Sequence, residues 1–140
     1  MQSVSVPESS TPLVVVAAAI VRAGRLLVVS KKAAPDVFYV PGGKPDAGES
    51  LLEALVRELD EELGVEPLAP RFLAEIEAEA AIERIPMRLT VFAARIAGRP
   101  EPAAELADLR WTSGDEPGLR LAPAVRDHLI PMLRRSGALG

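Results

Sequence analysis

Cysteine is missing from the 140-residue chain. That excludes a disulfide framework, a thiolate metal site and a cysteine nucleophile, and it leans toward a reducing compartment. Asparagine is missing too, and glutamine occurs once, at Gln2. Side-chain amides that could read a nucleotide base in bidentate fashion are therefore scarce. The one histidine, His128, falls on a segment expected to be an amphipathic helix and reads as a surface or packing residue. The longest apolar run, Leu13 to Val21, has nine residues, against the roughly 20 that a membrane span needs. Met1 to Pro12 contains no basic residue and includes Glu8, so the positive flank of a secretory signal is lacking. An excess of positive charge is also lacking. The net charge is −4 and the pI about 5.1, which argues against a nucleic-acid partner. Together these absences predict a cytoplasmic protein with neither a membrane nor a nucleic acid as partner; monomer and homodimer both stay open.

What remains is 49% hydrophobic and 26% charged, an ordinary balance for one globular domain. The reading is a frayed arm over 1–12, one domain over 13–136 and a short tail over 137–140. Val14 to Val21 suits a buried strand, and Ala23-Gly24 turns it into a second strand, Arg25 to Ser30, at hairpin spacing. Val37 to Val40 is a short strand stopped by Pro41-Gly42-Gly43. Arg71 to Ala80 and Arg88 to Ile96 read as two further strands joined by a turn near Glu83 to Pro86, and Leu109 to Trp111 as a short strand. Pro123 to Arg135 reads as a helix that Pro131 should kink or break. Trp111, Phe92 and Phe72 read as core. This mixture without strict alternation predicts an α+β arrangement around a mixed sheet.

The clearest element is a helix over Leu51 to Leu63. Ser50 followed by Glu53 is a capping box, Gly64 stands where a C′ glycine belongs, and Leu52, Leu55, Val56, Leu59 and Leu63 predict one apolar stripe. Glu58, Glu61 and Glu62 stand at i, i+3 and i+4, which gathers three carboxylates on one helix face beside that stripe. Such hard oxygen ligands suit Mg²⁺ or Mn²⁺, although charge runs are usually solvated faces. The preceding glycines let backbone groups approach a phosphate or a metal. A strand, a glycine loop and an acidic helix in sequence point to a metal-bridged phosphate site.

The segment Gly43, Glu49, Arg57-Glu58-Leu59-Asp60-Glu61-Glu62-Leu63-Gly64-Val65 resembles the complete Nudix box, G-x5-E-x7-R-E-U-x-E-E-x-G-U with U aliphatic. Every fixed position matches, and a chance match has odds on the order of 10⁻⁷. The resemblance implies a Nudix-type α/β/α sandwich around a mixed sheet and a MutT-like hydrolase that cleaves a diphosphate linkage in a nucleotide. It further implies Glu58, Glu61 and Glu62 as ligands of Mg²⁺, or Mn²⁺ in its place, with the Gly42 carbonyl adding another. Glu49 and Arg57 would pair to brace the loop. Arg57, about 100° round the helix from Glu58, is expected to face away from the metal. The general base would be Glu58 or a later loop glutamate, with Glu105 ahead of Glu101. Lys44 and Gly43 within the box, and Lys31 and Lys32 before it, are candidate phosphate contacts. Phe38 or Tyr39 could line the substrate pocket, with packing the plainer role.

Two rival readings carry contrary features. A silent nucleotide sensor of this fold need not keep the carboxylates, and an isopentenyl diphosphate isomerase would use a cysteine that this chain lacks. Subfamily signatures narrow the substrate further. Where diadenosine polyphosphate enzymes tend to carry a tyrosine, this chain has Ala81, Ile82 and Glu83. Where ADP-ribose enzymes tend to carry a proline, it has Ala80 and Ala81. A small nucleoside triphosphate remains, with loose base selectivity. Asp108, Asp115, Glu116 or backbone groups are the substitutes left for reading a base.

Overall fold

A computed structural model describes residues 12–140, so the proposed N-terminal arm lies outside the described residues. The chain lays down β1 (Leu13–Ala19), β2 (Val21–Arg22), β3 (Arg25–Lys31), β4 (Ala34–Tyr39) and β5 (Gly42–Gly43). Helix α1 (Leu51–Leu63) follows, then β6 (Pro67–Glu79), β7 (Pro86–Ile96), β8 (Leu106–Thr112) and β9 (Arg120–Leu121). A π-helical turn (Val125–Leu129) then runs directly into α2 (Ile130–Arg135).

The strands form two sheets. One has the order β5-β1-β7-β6; the other runs β2-β3-β4-β9, with β8 also paired to β3. Pairing is mixed: β1 runs parallel to β7 and antiparallel to β5, while β6 and β7 form a long antiparallel hairpin. Period-two alternation in β1 and β3 divides the core in two. Val16, Ala18, Ile20, Leu27 and Val29 pack with Leu55, Leu59 and Leu63 of α1. Ala17, Ala19, Leu26 and Val28 pack with Val125, Leu129 and Leu133 of the C-terminal helical segment. The sheets thus lie between two helical layers, as the resemblance implies. Among the described residues no helix is long and apolar enough to cross a membrane.

Local chemistry explains most boundaries. Ala23 and Gly24 both take positive φ, 51° and 74°, the turn that suits a two-residue hairpin. The Ser50 side chain accepts from Glu53 N at 3.1 Å, and Glu53 Oε1 accepts from Ser50 N at 2.8 Å, which completes the capping box. Gly64 ends α1 at φ 67° and donates to Asp60 O at 3.0 Å.

Four expectations need correction. Leu52 and Val56 are 38% and 40% exposed, whereas Ala54 and Glu62 are buried. At about 100° per residue the buried arc runs from Ala54 to Leu63, with Glu62 near its middle and Val56 beyond its edge. Phe72 is 61% exposed and meets Phe92 edge-on at 6.4 Å, because β6 is an edge strand whose face α1 does not reach. Several strands run longer than predicted, since ladder pairing starts β6 at Pro67, opposite Ile96, and β7 at Pro86, opposite Glu79, while β4 begins early, at Ala34 opposite Lys31. Finally, Pro131 does not break its helix. The preceding turn widens so that Ile130 N donates to Val125 O, five residues back, and the helical segment continues over 123–135. The last residues fold back: Leu139 is buried and Gly140 N donates to Gly24 O at 3.2 Å.

Candidate active site

Three pieces of chain meet at the site. The first is β5, a two-residue strand inserted beside β1. A Cβ on Gly42 would strike the backbone of Val16 and Ala17, with Ala17 Cα at 2.6 Å. A Cβ on Gly43 would collide with the Glu58 carboxylate. The two glycines therefore let the loop lie directly against the acidic face of α1. The second piece is α1 itself. The third is the loop between β7 and β8, which is stitched to the end of α1 through backbone bonds. Ala103 N donates to Glu62 O at 2.8 Å and Glu101 N to Leu63 O at 3.2 Å. These bonds satisfy carbonyls that a helix end leaves free. Lys32 N then donates to Glu105 O at 2.9 Å, and the Glu105 side chain reaches Lys31 Nζ at 3.6 Å.

Arg57 is the brace. Its Nε and Nη2 donate to the two oxygens of Glu49 at 2.8 and 2.9 Å, and Nη2 also donates to Lys44 O at 3.1 Å. This bidentate pair holds Glu49 down to a pKa of about 2, with the Asp46 backbone N–H assisting. Arg57 is not turned from the acidic face as expected. Its Nη1 donates to Glu58 Oε2 at 3.2 Å and to Glu61 Oε1 at 3.3 Å. The guanidinium is long enough to span the helix surface, so its angular position on α1 does not decide what its head touches.

The three box glutamates differ in environment. Glu61 is exposed. Glu58 is half-buried, and burial raises its pKa against the lowering influence of Arg57. Glu62 is 2% exposed, with Gly42 N donating to its Oε1 at 3.3 Å. Burial, then the Glu58 charge, push its pKa up to about 8. Tyr39 has a pKa raised by burial first and by Glu62 next.

Among the described residues no three carboxyl side chains already converge as a closed metal cage; Arg57 lies between Glu58 and Glu61. The donor set nevertheless fits a hard divalent cation. All its atoms are oxygens, and a buried carboxylate without a cationic partner is costly. The Gly43 cradle keeps the Glu58 carboxylate against the loop.

A cavity of about 350 Å³ opens beside this acidic face. One part of its lining is polar, with Lys31, Gly42, Gly43, Lys44, Glu58 and Glu105, and another part is apolar, with Val15, Ala80, Met87, Leu89, Ala122 and Ala124. Tyr39 lines it as well, and Lys44 pairs with Glu83 across it at 3.8 Å. The structure thus brings Gly42, Gly43, Lys44, Lys31, Glu58 and Glu105 together. Lys32 stays outside, exposed in the β3–β4 turn. The three acidic substitutes for base reading also lie elsewhere. Glu116 accepts from the Thr112 hydroxyl and from Ser113 N, which holds its pKa at about 2. Asp115 pairs with Arg134 at 2.8 Å, and Asp108 accepts from Leu109 N at 2.7 Å. His128 is exposed. Sequence reasoning missed the apolar part of the lining, since Ala80, Ala122 and Ala124 carry no chemical signal on their own.

Comparison with known proteins bears on the family and the fold. The family model described as NUDIX domain matches residues 11–134. CTP pyrophosphohydrolase of Escherichia coli strain K12 is 40% identical over 70 residues, covering 48% of this chain and 52% of that protein. The match therefore spans about half the length of that curated relative. A MutT NUDIX hydrolase of Burkholderia pseudomallei superposes with a TM-score of 0.72 at 31% identity, over 83% of this chain and 94% of the other. The E. coli ORF135 protein superposes with a TM-score of 0.68 at 31% identity, over 96% and 94%.

Proposed function

The chain belongs to the NUDIX domain family, and from that premise we propose that it hydrolyses the phosphoanhydride bond of a nucleoside di- or triphosphate, or of a related nucleoside diphosphate derivative, with Mg²⁺ or Mn²⁺ as cofactor. The observation that carries this reading is one cavity whose lining combines apolar residues with Lys31, Lys44, Glu58 and Glu105. A nucleotide has a matching combination of properties, a flat base and anionic phosphates.

Glu58, Glu61 and Glu62, with the Gly42 carbonyl, would hold the cation. When bound, the cation supplies charge neutralisation of phosphate oxygens and acidifies the attacking water. Lys44 and Lys31 line the cavity and would hold the phosphate chain. Arg57, fastened to Glu49, keeps Glu58 and Glu61 in place. Glu105 reaches the cavity from a loop pinned to α1, which suits it to accept the proton as water attacks phosphorus. Attack forms one P–O bond, the anhydride P–O bond breaks, and its electron pair leaves with the departing phosphate.

Base selectivity is proposed to be loose. The apolar part of the lining offers apolar contact, and contacts of that kind discriminate by about 1–3 kcal/mol. The test is kcat/KM on the canonical dNTPs, CTP, 8-oxo-dGTP, ADP-ribose and diadenosine polyphosphates, with Mg²⁺, then Mn²⁺, then EDTA. Hydrolysis of several nucleotides that stops in EDTA supports the reading. Metal-independent activity, or binding of nucleotides without turnover, overturns it, the second result in favour of a silent nucleotide-binding module. A preference above roughly 10⁴-fold for one base would contradict loose selectivity.

A further inference from the structure

Strand β4 alternates its faces. Phe38 and, just past the strand, Val40 enter the core cluster that holds Leu129 and Leu133, while Tyr39 between them packs against both that cluster and the one under α1. Its register partner on β3, Val29, packs there with Leu55, Leu59 and Leu63. Glu62, near the middle of the buried arc of α1, is 2% exposed on this same side, and after burial its charge is the first to raise the Tyr39 pKa. The Tyr39 hydroxyl is closed off from solvent and has no hydrogen-bond partner among the described residues. An orphaned buried hydroxyl is costly and uncommon. It needs an acceptor in some state of the protein, and as a neutral phenol among carboxylates it acts as a donor. Glu62 has the spare capacity, since its carboxylate accepts one long bond, from Gly42 N at 3.3 Å.

We infer that Tyr39 is a positioning residue for the cation site, whose hydroxyl donates to the Glu62 carboxylate in the cation-bound protein. This rests on Glu62 being a ligand, as proposed above. The Gly42 N–H meets one Glu62 oxygen at 3.3 Å, and the Tyr39 hydroxyl is the donor that would fix the carboxylate from its other side. Carboxylate ligands are commonly fixed by such outer hydrogen bonds, whose removal weakens metal binding by about 10–100-fold.

The test is Tyr39→Phe, an isosteric change that removes only the hydroxyl. Mn²⁺ binding is titrated without nucleotide, by calorimetry and by the loss of the free-ion electron-spin signal, and unfolding by denaturant is followed in EDTA. Mn²⁺ binding should weaken by about 10-fold or more, while the metal-free protein unfolds at the same or a higher denaturant midpoint. Unchanged Mn²⁺ affinity in the variant overturns the inference. So does a matching loss of metal-free stability, which would mean that the hydroxyl already has a structural partner. If the wild type itself fails to bind Mn²⁺, the proposed function falls and this role with it; if the wild type binds and the variant binds equally well, only the role of Tyr39 falls.

Discussion

Replacing Glu62 with glutamine should make the metal-free protein more stable at neutral and alkaline pH. Glu62 is 2% exposed, and its pKa rises from the ordinary 4.5 to about 8, chiefly through burial and then through the Glu58 charge. A raised folded-state value means that the folded protein favours the protonated form. The contribution of Glu62 to stability is therefore intact below pH 4.5 and is lost as pH climbs through about 8. At about 1.4 kcal/mol per pH unit, the interval sets a ceiling of roughly 5 kcal/mol. Relaxation and water penetration around buried ions lower such penalties, so a loss of roughly 2 kcal/mol is expected. Glutamine keeps an oxygen for the Gly42 N–H and removes the titration. The assay is denaturant unfolding of both proteins in EDTA at pH 5, 7 and 9. The wild type should lose stability across that range relative to Glu62→Gln. Saturating Mg²⁺ should restore the wild type alone, with release of about one proton per protein on binding below pH 8. Parallel pH curves for the two proteins would refute the reasoning, because they would mean that Glu62 is solvated and free to ionise.

Four further outcomes follow from the geometry. Leu59→Ala, at a fully buried position under α1, should cost about 2–5 kcal/mol in denaturant unfolding; a smaller loss would mean that α1 packs elsewhere. Arg57→Ala, which frees Glu49, Glu58 and Glu61 together, should lower kcat and the melting temperature, and a raised KM with unchanged kcat would make Arg57 a substrate contact instead. Glu105→Gln should lower kcat by about 10²–10⁴-fold with Mn²⁺ affinity unchanged; lost Mn²⁺ binding would make Glu105 a ligand. Gly43→Ala, whose Cβ collides with the Glu58 carboxylate, should weaken Mn²⁺ binding by about 10-fold or more while the fold survives, and wild-type affinity in that variant would remove Glu58 from the ligand set.

The parts of the fold visible in the sequence are those whose causes are local. Ser50, Glu53 and Gly64 mark both ends of α1 to the residue because each cap closes within a few positions of itself. Ala23-Gly24 marks a hairpin for the same reason. The parallel pairing of β1 with β7 joins Leu13 to Met87, and nothing in either segment alone specifies that partner or its register. Pro131 shows a local rule yielding to its surroundings. Its missing N–H does disturb the helix, but Leu129, Ile130 and Leu133 are held in the core on either side. Widening one turn preserves those contacts, whereas a break would expose them.

The acidic helix carries both the clearest reading and the clearest misreading, and they have one cause. Apolar periodicity assigns the buried face of α1 to leucine and valine positions, so it counts Leu52 and Val56 inward and leaves the glutamates on the flank. The actual centre of that face is Glu62, with Glu58 close by and the glycines of β5 pressed against them. A helix selected for packing alone would place a leucine at Glu62, since burying a carboxylate there is costly. On the function proposed above, a bound cation would compensate the charge that burial penalises and so make the glutamate tolerable there. The same substitution of polar for apolar that blurs the helix's hydrophobic pattern therefore marks its chemistry. The place where the stripe is interrupted is where the proposed cation site lies.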